Sequence, residues 1–406
     1  MSEENTTNSI LEEILPTQPL THASVGAPPL NEFLPWHLPR KHHVRKKQWG
    51  EALEELIDKL PDRQLINYLC LPGEDLLDVQ VFAEVCRRKS RRLRYLGFNT
   101  AQSKESSIQR IAAEQQLRQT DVVEDNSEVV PDGFSSIACQ NSIGRRYMRD
   151  RGSYDVVNLD MCDSFTTHPH AHNHDAVLEL LNHQSHWRGE PWLLFLTTHT
   201  KLNRLQQKEL EIYDRTIEEN ARQSAVFCES LGRMVAASDC SNADVVLSLL
   251  NQMRKDDTNL SGRWLTLAVG KWLLGIMADG APWRVDILSV YCYRTGLLSE
   301  HGGRYASDPP NLFSIVFQLQ KIQRSKTDPT GLASPTTIDG MFDEKKLAEK
   351  MAFCVEKRTI DLDCHLQANP SVATELATEC ESLLGVRYYD REAYRSWVGR
   401  LPVIPC

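Results

Sequence analysis

The chain has 406 residues, 41% apolar and 25% charged, enough for a sizeable buried core and two or three domains. Its net charge of −9 excludes a protein that coats nucleic acid with its whole surface, leaving only local basic patches for that role. No stretch supplies the ~20 uncharged apolar residues of a membrane span, since the best, 264–277, is interrupted by Lys271. The acidic N-terminus has no secretory pattern, so a cytoplasmic protein is expected.

Residues 1–34 mix Ser, Thr, Pro, Asn and acids without periodicity and are expected to be a poorly ordered arm. Between Trp36 and Trp49 the chain packs Arg40, Lys41, Arg45, Lys46 and Lys47 with three histidines. Trp49, Leu53, Leu56, Ile57 and Leu60 then follow at helical spacing, so this reads as a basic entry to an amphipathic helix. Short apolar runs next alternate with helical ones. Strands are expected at 65–70, 92–97, 154–160 and 191–198, with a weak one at 128–130. Helices are expected at 75–86, 103–118 and 175–183. That alternation predicts βαβ units and a doubly wound, mainly parallel α/β sheet.

Residues 201–283 break the alternation with helical patterns at 203–234, 243–255 and 260–277, an expected helical insertion. Strand patterns return at 284–293 and 311–319. The segment between them is too short for a packed crossover helix, so an antiparallel closing pair is predicted. The α/β domain thus spans 35–200 and 284–320. A Pro/Gly/Ser/Thr linker leads to a C-terminal helical region, 335–406, with helices at 344–356, 372–384 and 391–398. The eleven cysteines, scattered without a C-x-x-C pair, predict reduced, mostly buried thiols rather than a zinc site.

In an open α/β sheet, ligands bind beyond the carboxyl ends of the strands. The residues there are Pro72, Gly73 and Glu74 after the first strand, Asn99 after the second, Asp160 and Asp163 after the fourth, and His199 at the end of the fifth. Two carboxylates at a strand end and in its loop serve a substrate better than a core. The order of a Gly-containing loop, a polar residue after strand two, an Asp after strand four and a closing antiparallel pair resembles the class I S-adenosylmethionine-dependent methyltransferases. Within that superfamily Val157-Asn-Leu-Asp160 and Leu193-Leu-Phe-Leu-Thr197 look most like the tRNA guanine-N2 methyltransferases and the three-Cys-motif proteins. Met161, Cys162 and Asp163 stand where their Asp-Pro-Phe-Gly motif has Pro, Phe and Gly. The resemblance implies a Rossmann-like fold with S-adenosylmethionine as cofactor, held by Pro72, Gly73, Glu74 and Asn99. It implies Asp160, seconded by Asp163, as the group that accepts a proton or hydrogen bond from the nucleophile.

Two departures leave a second reading open: the loop has one glycine, not a Gly-x-Gly, and an amide replaces the ribose-gripping acid. That reading is a non-catalytic, methyltransferase-like subunit of an assembly in nucleic-acid processing or antiviral defence, docking through the helical insertion or the C-terminal region. A third, a nucleotide-binding enzyme, has no P-loop or G-x-G-x-x-G behind it. Arg87, Arg88, Arg91 and Arg92 form one basic cluster and Arg145 and Arg146 another. With the 40–47 arm, they are the expected contacts to nucleic acid. His168, His170, His172 and His174 are expected to be a solvated or substrate-facing loop and not a metal site.

Overall fold

The structure is a computed structural model that describes residue 30 and residues 32–100, 104–161, 164–165, 172–200, 207–279, 282–294, 309–322 and 342–400. Its strands are β1 (Leu65–Cys70), β2 (Arg92–Phe98), β3 (Glu128–Val130), β4 (Val156–Asp160), β5 (Trp192–His199), β6 (Trp283–Tyr293), β7 (Leu312–Lys321) and β8 (Thr359–Asp361). They form one sheet in the order β3-β2-β1-β4-β5-β7-β6-β8. The pairs from β3 to β5 are parallel, β7 is antiparallel to both β5 and β6, and β8 runs parallel to β6. This is the expected mainly parallel sheet with antiparallel closing strands.

The strands are short apolar runs because both faces are covered. Leu69, Leu96, Leu159, Leu194 and Phe317 enter one core, while Tyr68, Tyr95, Val156, Phe195 and Val316 enter the other. In chain order the helices begin with α1 (Pro39–His43), which continues through a π-helical stretch, Val44–Gly50, into α2 (Glu51–Lys59). There follow α3 (Leu77–Arg88), α4 (Lys104–Arg118), α5 (Ile143–Asp150), α6 (Asn173–Trp187), α7 (Gln207–Gln223), α8 (Ala225–Met234), α9 (Ala243–Met253) and α10 (Thr258–Ala278). The last are α11 (Glu344–Arg358), α12 (Leu362–Ala368), α13 (Pro370–Val386) and α14 (Arg391–Val398).

Two expectations change, the single helix over 203–234 and the uniformly reduced cysteines, and two regions gain detail. The single helix over 203–234 is two, because Ser224 leaves helical geometry and its hydroxyl caps α8 by accepting the Phe227 N–H at 3.1 Å. The inserted helices share a core with the sheet: Ile217, Phe227, Trp264 and Leu267 pack with Leu194 and Phe317. The C-terminal region is likewise built into the sheet, through β8 and through Leu362, Leu366 and Leu376 on the opposite face. Cys364 is disulfide-bonded, unlike the free thiols Cys70, Cys86, Cys228, Cys292, Cys354 and Cys380, which are buried as expected. Among the described residues no helix is long and apolar enough to cross a membrane.

Candidate active site at the carboxyl edge of the sheet

β1 lies where the strand order reverses, with β2 on one side and β4 on the other, so a crevice opens beyond their carboxyl ends. The Leu71 amide donates to the Asn158 carbonyl at 3.1 Å and carries the β1–β4 register past the strand, bringing Pro72 level with Asp160. Pro72 is buried and its carbonyl accepts the Asn99 Nδ2–H at 2.7 Å. Gly97 makes room for that ring: a Cβ there would sit 2.9 Å from Pro72 Cγ. Gly73 is exposed and Glu74 half-buried. The structure therefore brings Pro72, Gly73, Glu74, Asn99 and Asp160 to one edge of the sheet; Asp163 lies outside the described residues.

The groups that sequence reasoning missed come from the segment before α2. Lys41 Nζ donates to Asp160 Oδ1 at 2.5 Å and to the Tyr293 hydroxyl at 3.3 Å, and lies 4.6 Å from the centre of the Trp49 ring. Burial disfavours the Lys41 ammonium, but the charge of Asp160, with Tyr293, outweighs it and holds Lys41 above its ordinary value. Lys41 is thus a fixed cation beside the strand-four carboxylate. Arg45, one helical turn on, donates to the Trp36 carbonyl at 2.9 Å. Trp36 Nε1 lies 3.9 Å from where a Gly73 side chain would begin. Trp36 Nε1 and Arg45 Nε are both buried donors with no acceptor among the described residues. A buried donor of this kind calls for a partner, an ordered water or a ligand. The signal in the sequence was the spacing Lys41, Arg45, Trp49, which puts all three on one helical face.

Two further buried pairs brace this edge. His37 Nε2 lies 2.9 Å from Asp75 Oδ2, and Gln109 donates to the same carboxylate at 2.7 Å. Burial would raise the Asp75 carboxyl, but the hydrogen bonds from His37 and Gln109 and the charge of Arg387 hold it below its ordinary value. Below the crevice the Tyr68 hydroxyl donates to Asp78 at 2.6 Å and accepts from Asn158 Nδ2 at 2.9 Å. Burial pushes the Asp78 carboxyl up, against the Tyr68 hydrogen bond and the Arg45 charge.

Much of the basic arm is buried and paired within the chain, while Lys46 and Lys47 keep part of their surface. Arg40, Lys41 and Arg45 are each about 5% exposed, and Arg40 pairs with Asp363 at 2.6 Å while Lys46 reaches Glu379 at 2.5 Å. A buried charge is costly unless paired, and the Arg40 and Lys46 pairs hold the N-terminal segment to α12 and α13. Arg87 and Arg88 end α3, and Arg91 and Arg92 open β2, at the sheet edge opposite Asp160. Arg87 pairs with Glu84, Arg88 with Glu54, and Arg92 with Glu124 at 2.9 Å. Arg145 pairs with Glu179, and Arg146 is exposed. Of the histidine cluster, His168 and His170 lie outside the described residues. His172 sits 3.3 Å from Asp175, and His174 shares a hydrogen bond with the Tyr213 hydroxyl at 2.7 Å. His199 is buried at the end of β5.

Comparison with solved structures finds a protein of Listeria monocytogenes provisionally assigned as a class I S-adenosylmethionine-dependent methyltransferase. It is 11% identical over 90% of this chain and 75% of that one, at a TM-score of 0.33. A likeness that loose carries no argument, and the strand order above defines the fold. No curated protein matches. The profile of one family matches residues 30–399. That span takes in the crevice, the inserted helices and the C-terminal helices together, and the chain belongs to the PP_RS20740-like family.

Proposed function

We propose that the carboxyl edge of this sheet is the site of an S-adenosylmethionine-dependent methyl transfer, with Asp160 facing the nucleophile. The observation that carries this reading is the pair of orphaned buried donors, Trp36 Nε1 and Arg45 Nε, beside the open loop at Gly73. The cofactor's carboxylate is an acceptor of the kind they need, and the Asn99 amide can hydrogen-bond a ribose hydroxyl, so the residues present fit the cofactor. Bound there, it would supply an electrophilic methyl group. The chain's own part is to orient and desolvate. Lys41 fixes the position of Asp160, whose second oxygen is free to accept a hydrogen bond or a proton from the substrate. Arg87, Arg88, Arg91 and Arg92 lie at the opposite edge of the sheet, and Arg87, Arg88, Arg92 and Arg145 are paired with glutamates, which favours a nucleic-acid substrate being gripped in the crevice itself over one held by these clusters.

Isothermal titration with S-adenosylmethionine and S-adenosylhomocysteine tests the reading. Saturable binding that weakens at least tenfold in R45M and W36F supports it. The second reading, a non-catalytic subunit of an assembly, is favoured by a different observation: Asn99 and Asp160 already bond Pro72 and Lys41 within the chain. Silence in the titration by a folded protein would support that reading and overturn the first.

A further inference from the structure

On the face of the sheet opposite the Lys41 segment, α8, α10 and α11 meet around a cavity of about 410 Å³. Glu356 lines it with only 6% of its side chain exposed. Burial would raise its carboxyl, but the hydrogen bonds and charges of Arg233 and Lys357 hold it below its ordinary value, so it is an ionised, acceptor-only group. Both cations reach the same oxygen, Oε1, Arg233 at 2.8 Å and Lys357 at 2.6 Å. Glu356 Oε2 is buried with no donor among the described residues. Asp257 Oδ1 caps α10 by accepting the Asn259 and Leu260 N–H groups, which leaves Oδ2 as a second acceptor on the cavity wall. Arg263 Nε donates to Asn259 Oδ1 at 3.0 Å, and its Nη1 donates to the Val355 and Glu356 carbonyls. Arg263 Nη2 and the Asn259 amide nitrogen are left as donors on the same wall.

We propose that this cavity binds a neutral polyhydroxylated ligand the size of one hexose sugar. The carboxylate oxygens can only accept and the Arg263 and Asn259 nitrogens can only donate, and a hydroxyl answers both from one atom. Hydrogen bonds to charged groups are the strong ones, so each hydroxyl gains more here than at a neutral wall. The balance of charge selects against ionic ligands: an anion would meet Glu356 and Asp257, and a cation would meet Arg233, Arg263 and Lys357. Met234 and Leu260 supply apolar surface for the C–H face of a pyranose ring, and no aromatic ring lines the cavity to stack a base. Lys357 is 53% exposed and can turn aside to let a hydroxyl reach Glu356 Oε2. The volume falls within the range of about 300–1,000 Å³ typical of small-molecule sites. This site is independent of the methyl-transfer reading, because it shares no residue with the carboxyl edge.

The test is saturation-transfer NMR on the full chain, titrated in turn with D-glucose, D-galactose and D-mannose. D-glucuronate and D-glucosamine, which carry a negative and a positive charge on the same ring, are the controls. At least one hexose is expected to saturate with a Kd below about 10 mM, and each charged analogue to bind at least tenfold more weakly. E356Q exchanges the buried acceptor for an amide and is expected to weaken hexose binding tenfold or more. D257N turns the open acceptor into a donor while an asparagine oxygen still caps α10, so it keeps the fold should E356Q disturb it, and it is expected to weaken binding similarly. No saturation by any of the three hexoses would overturn the proposal. So would a charged analogue that binds as well as the best hexose, or hexose binding untouched by both substitutions in folded protein.

Discussion

His37 and Asp75 meet with a fixed proton: the Leu34 amide donates to His37 Nδ1 at 3.1 Å, so Nε2 carries the hydrogen that points at Asp75 Oδ2, 2.9 Å away. The tautomer is therefore set by the backbone of the segment that His37 anchors. The Tyr394 hydroxyl donates to the His37 carbonyl at 2.8 Å, tying the same residue to α14. N- and C-terminal segments thus meet on one carboxylate at the amino end of α3, where the helix dipole also favours a negative charge.

Asp75→Asn is the first prediction. Because the folded-state carboxyl lies below its ordinary value, its ionised form stabilises the protein above the unfolded value near 3.9. That contribution is lost as pH falls through the lower folded value. D75N is expected to cost ~1–3 kcal/mol at neutral pH. Urea melts should show the gap to the parent narrowing as pH is lowered to about 3; a gap that widened on acidification would contradict the assignment.

Lys41 and Asp160 should behave as a coupled pair. K41M leaves a mostly buried carboxylate uncompensated, at a cost on the order of 3 kcal/mol, whereas K41M/D160L removes both charges and should recover much of that loss. Since Lys41 is held above its ordinary value, its contribution is complete below the unfolded lysine value near 10.4 and lost only at higher pH. The parent-to-K41M difference should therefore stay flat between about pH 7 and pH 10. A double-mutant cycle with no coupling would remove Lys41 from the site.

The sheet was legible and the packing of the 40–47 segment at its edge was not, for one physical reason. A strand covered on both faces is a short apolar run, so Leu65–Cys70 and Trp192–His199 announce themselves in isolation. Three-residue β8 has no such run, and α5 is so polar that its start is visible only in the Ser142 cap, which accepts the Arg145 N–H at 3.0 Å. The cluster from Arg40 to Lys47 read as an exposed nucleic-acid contact because charged residues default to the surface. Its partners Asp160, Asp363 and Glu379 lie 119 to 337 positions away, a pairing that no local pattern encodes. The place of Asp160 at the carboxyl edge could be read because strand ends can be counted, whereas its pairing with Lys41 depends on tertiary contact.

Gly262 marks a close approach between α10 and β7. A Cβ there would clash with the Phe313 ring, which is fully buried. G262A is expected to destabilise by about 3 kcal/mol through overpacking. F313L, which vacates the contested volume, should restore part of that in the double variant even though it destabilises alone. Thermal melts of the three variants check it, and additive losses would show that the helix shifts freely over the strand.

The last prediction concerns the arginine clusters and runs against their appearance in the sequence. Phosphate binding gains from counterion release, and log K falls with log salt by about 0.9 for each phosphate neutralised. Arg87, Arg88, Arg92 and Arg145 already carry Glu84, Glu54, Glu124 and Glu179 as counterions, so a phosphate would displace a carboxylate that stays in place and repels it. Binding of duplex RNA or DNA is therefore expected to show a salt slope shallower than about −2 and to vanish near physiological ionic strength. The variant R91E/R92E/R145E/R146E should lower Tm by a few degrees, because it sets like charges against Glu124 and Glu179. It should leave any low-salt gel shift nearly unchanged. A steep slope in the parent that disappears in this variant would reinstate the clusters as a nucleic-acid surface and show that the glutamates yield to phosphate.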